Sequence, residues 1–422
     1  MGEAKMSSGC RGTVMKTGDH QATQLLMTAM ESILVESLPA SRRCLRLAVV
    51  TETYPPEVNG VALSLSRFVE GLRERNHEIQ LIRPRQALLD QPVRRDGFDE
   101  MLTFGMPIPR YPDLKMGLPA KRALIKQWTL KRPDLVHIVT EGPLGWSALQ
   151  AALKLKIPVC SDFRTNFHAY SLHYGIGWLK KPIVAYLRKF HNRTLMTMVP
   201  TEQLRAELAA GGFRNLRVVA RGVDTQLFNP ARRSDALRRE WGVKADTPVV
   251  IHVGRLAAEK NLAALTAAFL CIRQQQPQAR LVLVGDGPEK KAMQSLLPDA
   301  IFAGTRRGED LAAHYASGDI FLFPSVTETF GNVTLEAMAS GLSVVAYDYA
   351  AAAQHLHHDK SGLLAAYGQT DKFTALAGEM AGIHASNPQR FAQIGKNARL
   401  KAESLDWKCV VQEMETLLLS VA

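Results

Sequence analysis

The chain has 422 residues, 46% hydrophobic, 22% charged and 7% aromatic, which excludes a disordered or fibrous protein. At roughly 100–200 residues per domain, two to three domains are expected. The net charge of +12 suggests an anionic partner (nucleic acid, an acidic membrane surface or a phosphorylated substrate), with a solvated basic face as the alternative.

The charge is unevenly placed. Residues 1–222 hold 32 Lys+Arg and 19 Asp+Glu, a balance of +13, whereas residues 223–422 hold 20 and 21, a balance of −1. The cysteines (Cys10, Cys44, Cys160, Cys271, Cys409) are far apart and form no CxxC. That argues against a disulfide framework and for a reducing cytoplasm. No apolar run reaches the roughly 18–20 residues of a spanning helix, and the start has no signal-peptide core. A soluble or membrane-peripheral protein is expected.

In chain order, residues 1–20 are small and polar and read as disordered. Ala22, Leu25, Leu26, Ala29, Met30, Ile33, Leu34 and Leu38 recur at helical spacing, so 1–43 is read as an extension, disordered or an amphipathic helix. LRLAVV (45–50) is a buried strand, the loop TETYPPEVNG follows, and a helix is predicted over 61–75. Strands follow at 77–82, 134–138, 157–160, 195–199 and 216–223. The rhythm then restarts with strands at 248–253, 279–285, 300–304, 319–324 and 343–348, and the last helix is expected over 407–419.

Continuous apolar strands alternating with helices predict an α/β protein with doubly wound parallel sheets. Two such series predict two Rossmann-like domains: an N-terminal one over 44–228, a C-terminal one over 229–405, and a final helix over 406–422. Ligands of open parallel sheets bind beyond the carboxyl ends of the strands. Two facing rims would make a cleft with a donor on one side and an acceptor on the other.

Four segments carry candidate chemistry. In VGRLAAEKN (253–261), Arg255 and Lys260 follow a strand and a glycine near a helix start, a place already favourable for an anion. A guanidinium fork with a compact ammonium suits a diphosphate. In SVTETFGNVTLEAMASG (325–341), Glu328 lies in a loop and Glu336 eight residues later inside a helix starting near Asn332. A carboxylate accepts two hydrogen bonds and so matches a vicinal diol, and Gly331 lets the backbone approach a ligand. In TYPPEVNGV (53–61), Asn59 and Gly60 can converge backbone amides. In SDFRTNFHAYSLHYG (161–175), Asp162, Arg164, His168 and His173 crowd a strand's carboxyl end. By contrast, GDG (285–287) is a turn rather than a dinucleotide fingerprint. His355, His357 and His358 lack recognisable ligand spacing, and no Asp-x-Asp occurs to hold a metal on a sugar diphosphate.

Taken together, TYPPEVNGV, RGVDTQLFNP (221–230), VGRLAAEKN, LVLVGDGP (281–288) and ETFGNVTLEAMASGLSVVA (328–346) resemble glycosyltransferase family four, retaining enzymes of the GT-B fold. The resemblance spans roughly 45–420. It implies that Arg255 and Lys260 hold the donor diphosphate, Glu328 contacts the donor sugar and Glu336 binds the ribose. Phe330, Gly331 and Asn332 would meet phosphate and sugar through their backbone, and Gly60 would approach the diphosphate across the cleft. The final helix would cross back to the first domain. Many members carry a His in an H-T pair where this chain has Arg164. A guanidinium supplies electrostatic stabilisation but is a poor general base, and His168 lies four residues on.

The resemblance thus implies a metal-independent hexosyltransferase that takes a nucleotide sugar of GDP-mannose or UDP-glucose type and forms an α-glycoside by front-face substitution, with no protein nucleophile. A membrane lipid such as diacylglycerol is the expected acceptor, with the basic half docked on an anionic surface at the cytoplasmic face. A soluble or polysaccharide acceptor is the alternative within this chemistry. A basic nucleic-acid-binding protein is the alternative of a different class, against which the absence of known nucleic-acid-binding patterns counts. The residues leave the oligomeric state open.

Overall fold

The computed structural model describes residues 43–57, 60–87, 89–108, 111–164, 180–244, 246–328 and 330–422. Residues 1–42 of the expected extension, Asn59 and His168 lie outside the described residues.

The first half forms an eight-stranded sheet in the order β10-β9-β8-β7-β1-β2-β4-β3. Its strands are β1 (Arg46–Val50), β2 (Glu78–Pro84), β3 (Arg94–Arg95), β4 (Phe98–Thr103), β7 (Leu135–Ile138), β8 (Val159–Asp162), β9 (Met196–Val199) and β10 (Leu216–Val218). All pairings are parallel except β3 with β4. A separate hairpin-like pair joins β5 (Gly105–Ile108) to β6 (Tyr111–Gly117).

The second half forms a six-stranded, wholly parallel sheet in the order β13-β12-β11-β14-β15-β16. The strands are β11 (Val249–Val253), β12 (Arg280–Val284), β13 (Ile301–Gly304), β14 (Ile320–Phe323), β15 (Ser343–Tyr347) and β16 (Gly362–Ala365). Renumbered from its first strand, this is the 3-2-1-4-5-6 order of a dinucleotide-binding sheet. The expectation of two doubly wound α/β units holds.

Helices cover the sheet faces because central parallel strands are apolar on both sides. Among them, α1 (Gly60–Glu74) buries Ala62, Leu65, Phe68, Val69 and Leu72, at helical spacing. Other helices are α2 (Pro143–Leu155), α3 (Lys180–His191), α4 (Leu262–Gln275), α5 (Asn332–Ala339) and α6 (Trp407–Leu419).

The chain crosses between halves twice. Near residues 223–225 and 405–406 the two crossings are tied: Val223 N donates to Leu405 O (3.0 Å) and Thr225 Oγ1 to Asp406 Oδ2 (2.7 Å). After the second crossing α6 packs on α1 of the first half, burying Val410, Val411, Met414 and Leu418 beside Leu45 and Phe68. A Cβ on Gly71 would lie 2.6 Å from Val411, so a glycine is what lets these helices approach. Glu415 accepts from Arg75 (2.6 Å) and from buried His77 Nε2 (2.9 Å). His77 Nδ1 accepts the Leu45 amide, which leaves the ring proton on Nε2.

The sequence reading lacks β3 to β6 and β16. In β4, FDEMLT, the charged residues hide the strand; Glu100 is buried because Arg83 Nε reaches it at 3.1 Å. The strand expected over 216–223 ends at Val218, and the remainder leads into the crossing.

Candidate active site between the two sheets

Each sheet reverses its strand order at one point, and there the loops part to leave a crevice. In the second sheet that point lies between β11 and β14. The loop after β11 carries Gly254 to Lys260, and the loop after β14 carries Ser325 to Gly331. The loop after β11 is held by close backbone approach. A Cβ on Gly285 would fall 1.9 Å from Gly254 O and one on Gly287 2.3 Å from Leu256 O, while Leu256 N donates to Asp286 O (2.9 Å). The GDG turn is thus the buttress of the Arg255 loop.

Arg255 and Lys260 have different surroundings. A short turn, Ala258–Lys260, and left-handed Asn261 separate them from α4. Lys260 points inward, its ammonium bonded to Glu328 Oε1 and 5.7 Å from the Phe323 ring. Arg255 is 55% exposed and lies 3.6 Å from Glu259. Glu328 also accepts from Ser325 Oγ (2.7 Å), and its carbonyl accepts from Tyr349 Oη (2.8 Å).

Gly331 has φ +89°, a conformation that favours glycine, and forms the N-cap of α5. The start of a helix is a place that favours an anion. The Phe330 side chain is core, and its carbonyl accepts from Ala351 N (2.8 Å). One turn into α5, Glu336 accepts from Tyr315 Oη (2.9 Å). The residue is only partly covered, yet its carboxyl group lies deep, and burial pushes its pKa up to about 7 against the opposing tyrosine bond.

On the facing rim, Asp162 ends β8 and Arg164 follows it. Arg164 is buried, bonds Asp162 through Nε and lies 5.0 Å over the Phe68 ring. Burial opposes ionisation of Asp162, but Arg164 and His137 (3.4 Å) outweigh it and hold the carboxyl well below its usual range. Glu52, after β1, accepts the Leu144 amide at the start of α2 (3.0 Å). Burial drives its pKa to about 7. Nearby Ser161, His191 and Glu141 form a row at 2.9 and 3.2 Å. Ser161 is wholly buried, so the row is a core network and no nucleophile.

The rims meet at Arg221, which sequence reasoning passed over. Its Nη1 donates to Asn332 Oδ1 (3.5 Å) and lies 3.8 Å from where a Gly60 Cβ would stand. The signal available was the segment RGVDTQLFNP, which opens on Arg221 just past the last strand of the first sheet. The geometry therefore gathers Gly60, Arg164, Gly331 and Asn332 round Arg221, with Lys260 and Glu328 paired beside it; Glu336 lies deeper in α5. Among the described residues no group of three or more His, Cys, Asp or Glu side chains is placed to hold a metal.

Two family models match the chain: "Glycosyltransferase Family 4" over residues 58–227 and "Glycosyl transferases group 1" over 247–381. A GDP-mannose-dependent alpha-mannosyltransferase of Mycobacterium tuberculosis is 35% identical over 332 residues, 77% of this chain and 84% of that protein. The sulfoquinovosyl transferase SQD2 of Arabidopsis thaliana is 31% identical over 90% of this chain and 74% of its own. An alpha-monoglucosyldiacylglycerol synthase of Acholeplasma laidlawii is 26% identical over 89% and 97%. The fold matches that of Anabaena HepE, solved in complex with UDP, with a TM-score of 0.70 at 21% identity over 89% of this chain and all of that one. With two parallel-sheet units in the GT-B arrangement and relatives at this identity over most of its length, the chain belongs to glycosyltransferase family 4.

Proposed function

We propose that the protein transfers a hexose from a nucleotide sugar, of the GDP-mannose or UDP-glucose type, to a hydroxyl of a membrane lipid such as diacylglycerol, forming an α-glycoside. The observation that carries this reading is the Lys260–Glu328 pair at the reversal point of the second sheet, beside the amides of α5. The pair offers a cation to phosphate and a carboxylate to sugar hydroxyls at adjacent points. The names of the mannosyltransferase, the diacylglycerol glucosyltransferase and the UDP-bound neighbour point the same way.

In this reading Arg255 and Lys260 bind the diphosphate, Glu328 the sugar, Glu336 the ribose diol, and the backbone of Phe330, Gly331 and Asn332 the phosphate and sugar. Asn59, Gly60, Arg164 and His168 serve the diphosphate and acceptor from the N-terminal domain, 44–228, facing the donor domain, 229–405. As the sugar–oxygen bond breaks, its electron pair stays on the distal phosphate, where fixed cations stabilise the growing charge. The acceptor hydroxyl attacks from the same face, and its proton passes to the departing phosphate oxygen. The chemistry asks for no metal and no protein nucleophile.

The surplus charge of the first half suits an anionic bilayer better than nucleic acid. On α3 the side chains of Lys181, Arg188 and Lys189 are exposed, and each Lys or Arg near an anionic surface contributes about 1 kcal/mol. A peripheral position at the cytoplasmic membrane face follows. No helix among the described residues is long and apolar enough to cross a membrane.

A thermal-shift panel of nucleotides and sugar nucleotides tests the donor. A ligand at about 100 times its Kd stabilises by about 2.7 kcal/mol, and the ranking names base and sugar. A flat panel refutes the donor reading. Flotation with neutral and anionic vesicles tests the acceptor surface; equal recovery at low salt refutes it.

A further inference from the structure

Arg221 is 6% exposed, and its Nε and Nη2 have no hydrogen-bond partner among the described residues. Of its hydrogen-bond donors only Nη1 is engaged, at 3.5 Å from Asn332 Oδ1, the long limit of such a bond, and the guanidinium lies 5.7 Å over the Phe330 ring. Asp162, whose charge reaches it on its own rim, bonds Arg164 through Oδ2, and Asp162 Oδ1 has no hydrogen-bond partner among the described residues. Glu328, across the cleft, already serves Lys260. The buried group of Asp162, Arg164 and Arg221 therefore carries two guanidiniums against one carboxylate. Burial, with Arg164 adding repulsion, pushes Arg221 down to about 9, so it remains charged at neutral pH. A buried cation whose counter-charges, Asp162 and Glu328, are bonded to other cations is costly for the fold, and such costs collect where a ligand supplies what is missing.

The position says what is missing. Nη1 stands between the first residue of α1, Gly60, and the first residue of α5, Asn332. Both helices present the positive ends of their dipoles there. One helix belongs to each half of the molecule. Two helix starts and an under-compensated guanidinium converge on one point, which suits a multiply charged anion that joins the halves.

We propose that Arg221 is a ligand, supplied by the N-terminal half, for the diphosphate of the donor. This rests on the nucleotide-sugar reading above. The long contact to Asn332 gives way when a phosphate oxygen takes Nη1. The same step compensates the buried charge. In the series of cations, Lys260 and Arg255 hold the diphosphate from the donor side and Arg221 from the acceptor side.

The test compares the full-length wild type with Arg221→Met and Arg221→Lys by thermal shift and calorimetry. Probes are inorganic pyrophosphate, GDP, UDP, and the nucleosides guanosine and uridine. Arg221→Met, which removes the charge but keeps the length, is expected to melt no lower than wild type without ligand. It should bind pyrophosphate and the preferred nucleoside diphosphate at least tenfold more weakly, with nucleoside binding unchanged. Arg221→Lys should fall between. Wild-type affinity in Arg221→Met overturns the proposal. So does a lowered melting point with unchanged diphosphate affinity, which would make Arg221 a strut bridged to Asp162 by water. If Arg221→Met fails to fold, unchanged affinity in Arg221→Lys overturns it. If wild type itself ignores every nucleotide and pyrophosphate, the donor reading falls as well.

Discussion

Glu336→Gln should make the ligand-free protein more stable and the enzyme worse. The Glu336 carboxyl titrates near pH 7 in the fold, raised from 4.5 by burial. At about 1.4 kcal/mol per pK unit, the ceiling on the penalty for ionising it is about 3 kcal/mol. Since the residue is only partly covered, about 1–2 kcal/mol is expected. The sign follows from the raised value. Below pH 4.5 the group is neutral folded and unfolded, and nothing is lost. Between 4.5 and 7 the unfolded chain gains by ionising while the fold holds its proton, so stability declines. Above 7 the penalty is complete. Glutamine is neutral throughout and still accepts from Tyr315 Oη. At roughly 2–4 °C per kcal/mol for a domain of this size, melts at pH 8 should place the variant several degrees above wild type. At pH 5 the two should nearly coincide. Donor turnover should fall, because an amide offers a diol one acceptor oxygen in place of two. A melting difference that is equal at pH 5 and pH 8, or negative at pH 8, refutes the argument.

Lys260→Met should lower kcat by about 10²–10³ with the fold retained, since it removes the fixed cation proposed to stand beside the leaving group; activity within threefold of wild type refutes that placement. Arg255→Met, at a half-exposed position, should act mainly on KM. Gly285→Ala forces a Cβ to within 1.9 Å of the Gly254 carbonyl, so a loss of about 2–4 kcal/mol, or insolubility, is expected in urea titrations. Glu415→Ala strands buried His77 and Arg75 and should cost about 3 kcal/mol or more, with Glu415→Gln milder; denaturation midpoints decide.

The second half was the more legible in sequence. Its strands are runs such as PVVIHV and DIFLFP, buried on both faces, and its site residues sit next to glycines whose backbone demands are local. Gly331 shows this: one left-handed residue before Asn332 announces the helix start that the site uses. The first half was harder. Strand β4 carries Asp99 and Glu100 because Arg83 and Arg94 from elsewhere in the chain neutralise them, a pairing that no periodicity reports. The pair Arg255 and Lys260 looked like one cationic unit. In space, Lys260 is held by Glu328, 68 residues on, and Arg255 faces solvent.

By itself, the amino-acid sequence determined the α/β class, the two restarting series of strands and the loops proposed to hold the donor-side chemistry. Those properties are local: side-chain hydrophobicity along a strand, a glycine at a turn, a basic residue before a helix. Only the tertiary structure decided which charges meet. The net charge of the first half could not reveal that Asp162 is shared by Arg164 and His137 while Arg221 keeps donors unpartnered. Nor could it show that Arg221 reaches Asn332, 111 residues away. Burial and Coulomb interaction depend on distance through space, and the crossing of the chain between two sheets sets those distances.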